Sequence, residues 1–371
     1  MLPRFSRFLF SFSLLSSLFS TQVAASRTKK TSDSPIKVMT ISGALQEAQR
    51  LSLFLPFTTL HSSPRLNIAT WSGQLEVLQD IIIHGKNAAD LVMMDESDID
   101  IACQKGLLIQ MDQFTNTALP ESSPKHPSST PDNALASTIS PCIIKNTAVP
   151  IHLVLSWDTK RFNRKPNWRD FWDISRNPGR RGLFKGAKGT LEIALLADNV
   201  APEDIYAVLS TSAGVRRAFR KLNQIRPYIS WWSSYTDSLT LLREGQVLMT
   251  SAAAEEIEAY NVNAQNKLGI QKNESLVTNL AWSVPAPYGR PLASGLDNVV
   301  TFISAPRQQT LFNKLFTLST KAADKDPPSI EKPDHTTTKK LLPPSFQIDQ
   351  NFWQNHYSDL QRRFMVWFSS P

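Results

Sequence analysis

The sequence predicts an α/β protein, with a mostly parallel sheet and helices on its faces, on three observations. From Ile36 onward, short apolar runs alternate with stretches of helical period, and strands separated by helices call for crossover connections. The 371 residues are enough for two units, each with its own core. Hydrophobic residues at 41% and charged residues at 19% describe a globular chain, not a disordered one.

The residues before the first strand carry a different signal. Arg4 and Arg7 precede an apolar, serine-diluted stretch from Phe8 to Phe19, and Val23-Ala24-Ala25 then supplies small residues before Ser26. This is the layout of a secretory signal peptide over residues 1–25, and it implies a periplasmic mature protein. A permanent anchor is the alternative, but the apolar stretch is short for ~30 Å of hydrocarbon.

The first strand is IKVMTIS, followed by a helix in GALQEAQRLSLFLPF, a strand in LNIATWSG, a helix in QLEVLQDIIIHG and a strand in ADLVMMD that opens into ESDIDIACQKGLL. Residues 115–141, rich in Pro, Ser and Thr, read as a surface loop. TAVPIHLVLSW then reads as a strand, WRDFWDI as a short helix, and TLEIALLADN as a helix opening after Gly189. Pro202, Glu203 and Asp204 mark another helix start, with Pro in the first turn and acids at the positive end of the dipole. GVRRAFRKLNQI repeats apolar residues at Val215, Phe219, Leu222 and Ile225 and stops before Pro227. QVLMTSAA is a strand after a turn at Gly245, residues 320–344 form a polar linker, and FQIDQNFWQNHYSDLQRRFMVWF makes an amphipathic C-terminal helix within 345–371.

The net charge of +8 is scattered, so nucleic acid is permitted as a partner but not required. The stretch RNPGRRGLFKGAKG holds five basic residues and four glycines, yet it lacks the G-x-x-x-x-G-K-[ST] of a phosphate loop. Neither G-x-S-x-G nor H-E-x-x-H occurs, and no metal or cofactor is expected. Cys103 and Cys142 are an even pair in an oxidising compartment, which favours a disulfide over two separate buried thiols. Asp95, Glu96, Asp98 and Asp100 follow a strand without calcium-loop spacing. They read as a helix N-terminus, placed where α/β proteins bind ligands. Several of the nine tryptophans, among them Trp71, Trp157, Trp231, Trp232 and Trp282, fall at or near strand ends or in loops. Aromatic walls with a few acids suit a small cationic or sugar-like ligand, with core packing as the alternative.

The run from NWRDFWD through PGRRG, TLEIAL and RRAFRKL to ISWW resembles the periplasmic solute-binding proteins of ABC importers, of the spermidine/putrescine-binding type. Weaker matches, CQKGLLIQMD and EGQVLMTSA among them, extend the resemblance over residues 36–371 outside the two Pro-rich segments. It implies a two-lobe periplasmic-binding-protein fold of type II with a cleft between the lobes. Lobe one would hold 36–152 plus 284–319, and lobe two 153–283. It also implies a small organic solute as ligand and, as partners, an inner-membrane ABC permease and its ATPase. By position, Gly43, Asp95, Glu96, Ser97, Thr190, Trp232, Tyr235 and Ser251 are the implied ligand contacts. The basic Gly-rich stretch matches an element that introduces a lobe-two helix, so its charges are expected to be solvated. Two positions depart from the pattern. Relatives carry an aromatic followed by Asn-Gly-Arg where this chain has Ala253, Ala254, Glu255 and Glu256, and Leu280 stands where polyamine binders have Asp. The alternatives are a degenerate binding protein serving as an interaction module, or an enzyme on the same scaffold.

Overall fold

The structure, a computed structural model, describes residues 34–60, 63–85, 89–118, 140–321 and 345–370. The expected signal peptide, most of the first Pro-rich segment and most of the expected linker lie outside the described residues. The described chain from Ser34 onward is one unit.

Strands β1 (Ile36–Ile41), β2 (Leu66–Trp71) and β3 (Leu91–Asp95) open the fold. β1 lies between the other two and is parallel to both. The next strands are β4 (Val149–Asp158), β5 (Arg181–Phe184), β6 (Ile229–Trp232) and β7 (Met249–Ala253). β5 lies between β6 and β7, again parallel to both. The two triples therefore share one winding. Between them run β4 and the long β8 (Leu268–Ser283), antiparallel to each other. β8 pairs with β3, and β4 with β7, so all eight strands join in the order β2-β1-β3-β8-β4-β7-β5-β6. β9 (Phe346–Gln347) pairs with β8. We call the β1–β3 side the first half and the β5–β7 side the second half.

The alternation has a physical basis. A parallel strand covered on both faces reads as a continuous apolar run, and β1 and β3 are buried along nearly their whole lengths. The helix expected after β1 forms as Ala44–Gln49 and Leu55–Thr58 around a π-helical segment, Arg50–Phe54. Three segments differ from expectation. The helix Met111–Ala118 takes up the start of the first supposed loop, and Pro306–Lys321 carries helix into the start of the supposed linker. The C-terminal helix begins only at Gln350 and runs to Ser369, because Phe346–Gln347 pairs with β8 instead. It buries Phe352, Trp353, Tyr357, Leu360 and Phe364, one stripe along a helix. Phe364 and Trp367 pack against Trp231 of the second half, with ring centroids 5.6 and 5.9 Å apart. Tyr357 Oη donates to Glu76 Oε1 of the first half at 3.0 Å.

Cys103 and Cys142 are joined, as expected, with Cα atoms 5.9 Å apart. Closing that loop is worth about 4 kcal/mol in the chain-entropy picture. Trp71, Trp157 and Trp282 are core residues.

Candidate functional site

In open α/β sheets, ligands bind outside the carboxyl ends of parallel strands. Here the two windings face their carboxyl ends toward each other around a cavity of about 90 Å³. Ile41, Ser72 and Asp95, at the ends of β1, β2 and β3, line one side. Phe184, Lys188, Trp232 and Tyr235, at and beyond the ends of β5 and β6, line the other. Thr278 and Leu280 of β8 form the floor, and Tyr357 and Gln361 of the C-terminal helix add a third wall.

Local structure aims each side chain. Asp95 ends β3 and caps the helix Glu96–Gln104, accepting from Ser97 N at 3.0 Å. After β5, Gly186 lets the chain pass the Phe184 ring, where a Cβ would lie 2.5 Å from a ring carbon. Gly189, at φ +82°, then turns the chain into the helix Thr190–Ala197, and Lys188 is held between the two glycines. Beyond β6, Ser234 and Asp237 cap the next helix reciprocally, so Asp237 serves that helix.

Lys188 is the centre of the electrostatics. Its Nζ donates to Asp95 Oδ1 at 2.8 Å, Asp98 Oδ1 at 2.6 Å and Ser97 Oγ at 2.8 Å, which uses all three of its hydrogens. Ser97 Oγ and Thr278 Oγ1 donate to Asp95 in turn. Burial pushes the Asp95 carboxyl up, but the Lys188 charge and these hydrogen bonds outweigh it and hold Asp95 below the usual carboxylate range. Burial pushes Asp98 up to about 7, against the pull of Lys188 and with the Asp95 charge adding to the rise. Burial also works against the Lys188 ammonium, and the two aspartates overcome it and raise its pKa. One buried ammonium thus faces two carboxylates, and Asp98 is the one that takes up a proton near neutrality.

The polar atoms left over at the cavity are of a different kind. Among the described residues, the Nε1–H of Trp232, a residue 2% exposed, has no partner, and the buried Oγ of Ser72 has none either. Phe184, Trp232 and Tyr235 form an aromatic wall beside them, with successive ring centroids 5.0 and 6.2 Å apart. Among the described residues, no group of three or more His, Cys, Asp or Glu side chains is placed to hold a metal ion.

Of the residues singled out from sequence, Asp95, Trp232 and Tyr235 line the cavity. Ser97 stands behind Asp95 and receives Lys188. Glu96 points elsewhere, accepting from Asn279 Nδ2 at 2.9 Å and Gln350 Nε2 at 2.7 Å. Thr190 is fully buried and donates to the Phe184 carbonyl at 2.9 Å. Ser251, within β7, is buried, and its Oγ has no partner among the described residues. Gly43 faces the Glu256 carboxyl, which accepts from Ala44 N at 2.7 Å. Leu280 stands opposite Asp95 in register and presents hydrocarbon to the cavity.

Lys188 was not singled out from the sequence, and the charges of RNPGRRGLFKGAKG are not all solvated as expected. The Arg176 side chain is solvated, at 86% exposure. Arg181 is fully buried and donates to the carbonyls of Phe171, Asn177 and Gly179. Burial lowers its pKa to about 10. Lys188 is only 12% exposed. The one signal available was a lysine bracketed by glycines just past a short strand.

Two halves of like winding, closed around a cavity at their strand ends, define the fold of a periplasmic binding protein. The family model for bacterial extracellular solute-binding proteins matches residues 69–337, and the chain belongs to that family. A curated relative, the gamma-aminobutyric acid-binding protein of Pseudomonas aeruginosa, is 29% identical over 350 residues, covering 90% of each chain. Two solved structures share the fold. The periplasmic binding protein MotA of A. tumefaciens B6, in complex with glucopine, has a TM-score of 0.69 at 17% identity, covering 90% of this chain and 100% of that one. The Atu4243-GABA receptor has a TM-score of 0.62 at 18% identity, covering 91% and 98%. The chain is therefore a solute-binding protein of the ABC-transport type and not an enzyme. Among the described residues, no helix is long and apolar enough to cross a membrane.

Proposed function

We propose that this protein captures a small, carboxylate-bearing solute of the amino-acid type in the cavity between its halves, and delivers it to an inner-membrane ABC permease and its ATPase. Residues 1–25 would direct it to the periplasm and be removed there. The lobes would be 36–152 with 284–319, and 153–283, closing through contacts that the solute makes with both.

One observation carries the reading. The carboxylates lining the cavity are committed to Lys188, while two of its lining residues carry buried polar groups with no partner among the described residues: the Nε1–H of Trp232, a donor only, and the Ser72 hydroxyl. A site with spare buried donors calls for an acceptor, and a carboxylate is the strongest available. The name of the Pseudomonas relative, gamma-aminobutyric acid-binding protein, is consistent with such a solute. A polyamine fits poorly, because an extended polycation needs a carboxylate at each ammonium. Asp95 and Asp98 share one end of the cavity, and Leu280 replaces an expected Asp.

Calorimetry on the mature protein, with gamma-aminobutyric acid, other short amino acids, simple carboxylates, putrescine and spermidine, tests this. We expect saturable binding of a carboxylate-bearing solute, weakened at least about tenfold in Trp232→Phe, which keeps a ring but removes the donor. Micromolar spermidine binding would overturn the reading. Binding of nothing in the panel would favour an interaction module, a second reading suggested by Glu256 and Lys188 already tying the halves together.

A further inference from the structure

The Lys188 ammonium lies in surroundings that would suit a free cation. Two carboxylates and a hydroxyl accept from it at 2.6–2.8 Å, and the Tyr357 ring lies with its centroid 5.9 Å from Nζ. Carboxylates, a hydroxyl and an aromatic ring together are what a desolvated primary ammonium requires. Every acceptor in the set comes from the first half, whereas the ammonium arrives from the second half on a loop fixed by Gly186 and Gly189. Thr278 and Ser97 also donate to Asp95, so hydroxyls from the first half and from β8 complete the set of groups around the ammonium.

We propose that Lys188 is a built-in occupant of an alkylammonium site, and that by filling it Lys188 sets the specificity of the cavity against cationic solutes. This rests on the solute-capture reading above. A tethered ammonium competes at an effective concentration that a dissolved amine cannot match. A second cation brought beside it would meet like charge in a partly desolvated space. A zwitterionic solute would then set its carboxylate at the Trp232 and Ser72 donors and keep its own ammonium away from Lys188. Removing the tethered ammonium should uncover the site for a free amine.

The test is titration of the full mature chain with methylammonium, butylammonium and putrescine, read by calorimetry and thermal shift. Wild type should show no saturable binding of these amines. Lys188→Ala should bind butylammonium and putrescine at least about tenfold more tightly than wild type, and adding Asp95→Asn should abolish the gain. Should Lys188→Ala alone fail to fold, Lys188→Ala/Asp98→Asn carries the test. It retains Asp95 with its Ser97 and Thr278 donors, and it should gain amine binding over Asp98→Asn. Folded variants with no such gain, or wild type binding putrescine as tightly as Lys188→Ala, would overturn the proposal. The two readings fail separately. Wild type that binds no carboxylate solute, beside a Lys188→Ala that gains amines, removes the capture reading and keeps the cation site. The reverse result removes only the cation site.

Discussion

Of the contacts that tie the halves together beside the cavity, two handle a buried carboxyl group in opposite ways. In one, Lys188 brings a full charge to Asp95 and Asp98. In the other, the Glu256 carboxyl crosses to the first half and accepts a single backbone N–H, that of Ala44, at 2.7 Å. A hydroxyl pair, Ser42 and Thr236, stands nearby with its oxygens 2.8 Å apart. Asp95 stays ionised because a cation offsets its burial. Among the described residues, no cation pairs with Glu256. Burial pushes it up to about 7, the Ala44 N–H offsets this only in part, and the neighbouring Glu255 charge adds to the rise. A backbone donor orients a buried carboxyl but does not keep it charged, whereas an ammonium does both.

Removing the ammonium should break the comparison most severely. Lys188→Met keeps most of the hydrocarbon stem and orphans two carboxylates, and breaking a buried ion pair costs about 3–5 kcal/mol. Denaturant unfolding at neutral pH would measure it. A loss under about 1 kcal/mol would place the cluster with surface ion pairs and remove its role in joining the halves.

Gly43→Ala should follow. Gly43 has φ +102°, and a Cβ there would lie 2.1–2.4 Å from the Glu256 carboxyl atoms. The carboxyl is the end of a flexible side chain and can swing away, but only by giving up Ala44. Backbone strain and the lost contact together should cost about 2–3 kcal/mol. Glu256→Ala, which loses the hydrogen bond alone, should cost about 1–2 kcal/mol. The double variant should be less destabilised than the sum, since the clash is then gone while the φ strain remains. Strict additivity in unfolding experiments would mean the two residues do not touch in solution.

The same contrast explains what was legible in the sequence. β1 and β3 could be read because strands buried on both faces are unbroken apolar runs. β5 could not, since RGLF is four residues beginning with a fully buried Arg181 that spends its charge on backbone carbonyls. β8 was hidden by Lys272, Asn273 and Glu274 in its middle. In the site, Asp95 and Trp232 were legible as an acid and an aromatic at strand ends. Lys188 was not, because what distinguishes it from a solvated lysine is a pair of aspartates in the other half of the molecule. Gly43 was singled out as a ligand contact, but in this structure its missing side chain makes room for Glu256.

The smallest effect is the sharpest test of the contrast, because its sign differs between two substitutions at one position. The Glu256 pKa rises from 4.5 when free to about 7 when folded. Between those values the folded protein keeps a proton that the unfolded chain has released. Stability from this group is therefore complete below about pH 4.5 and is lost as the pH climbs through 7. Asp98 and Glu192, both raised to about 7 by burial, slope the same way, so wild type should lose stability from pH 5 to pH 8. Glu256→Gln fixes the neutral form, and its amide oxygen can still accept from Ala44. It should match wild type near pH 5, exceed it at pH 8, and flatten part of the slope, whereas Glu256→Ala should be the less stable at both. Melting temperatures of the three proteins across this range decide the matter. Parallel curves for wild type and Glu256→Gln would mean that Glu256 is ionised throughout, and that the Ala44 contact handles its carboxyl as Lys188 handles Asp95.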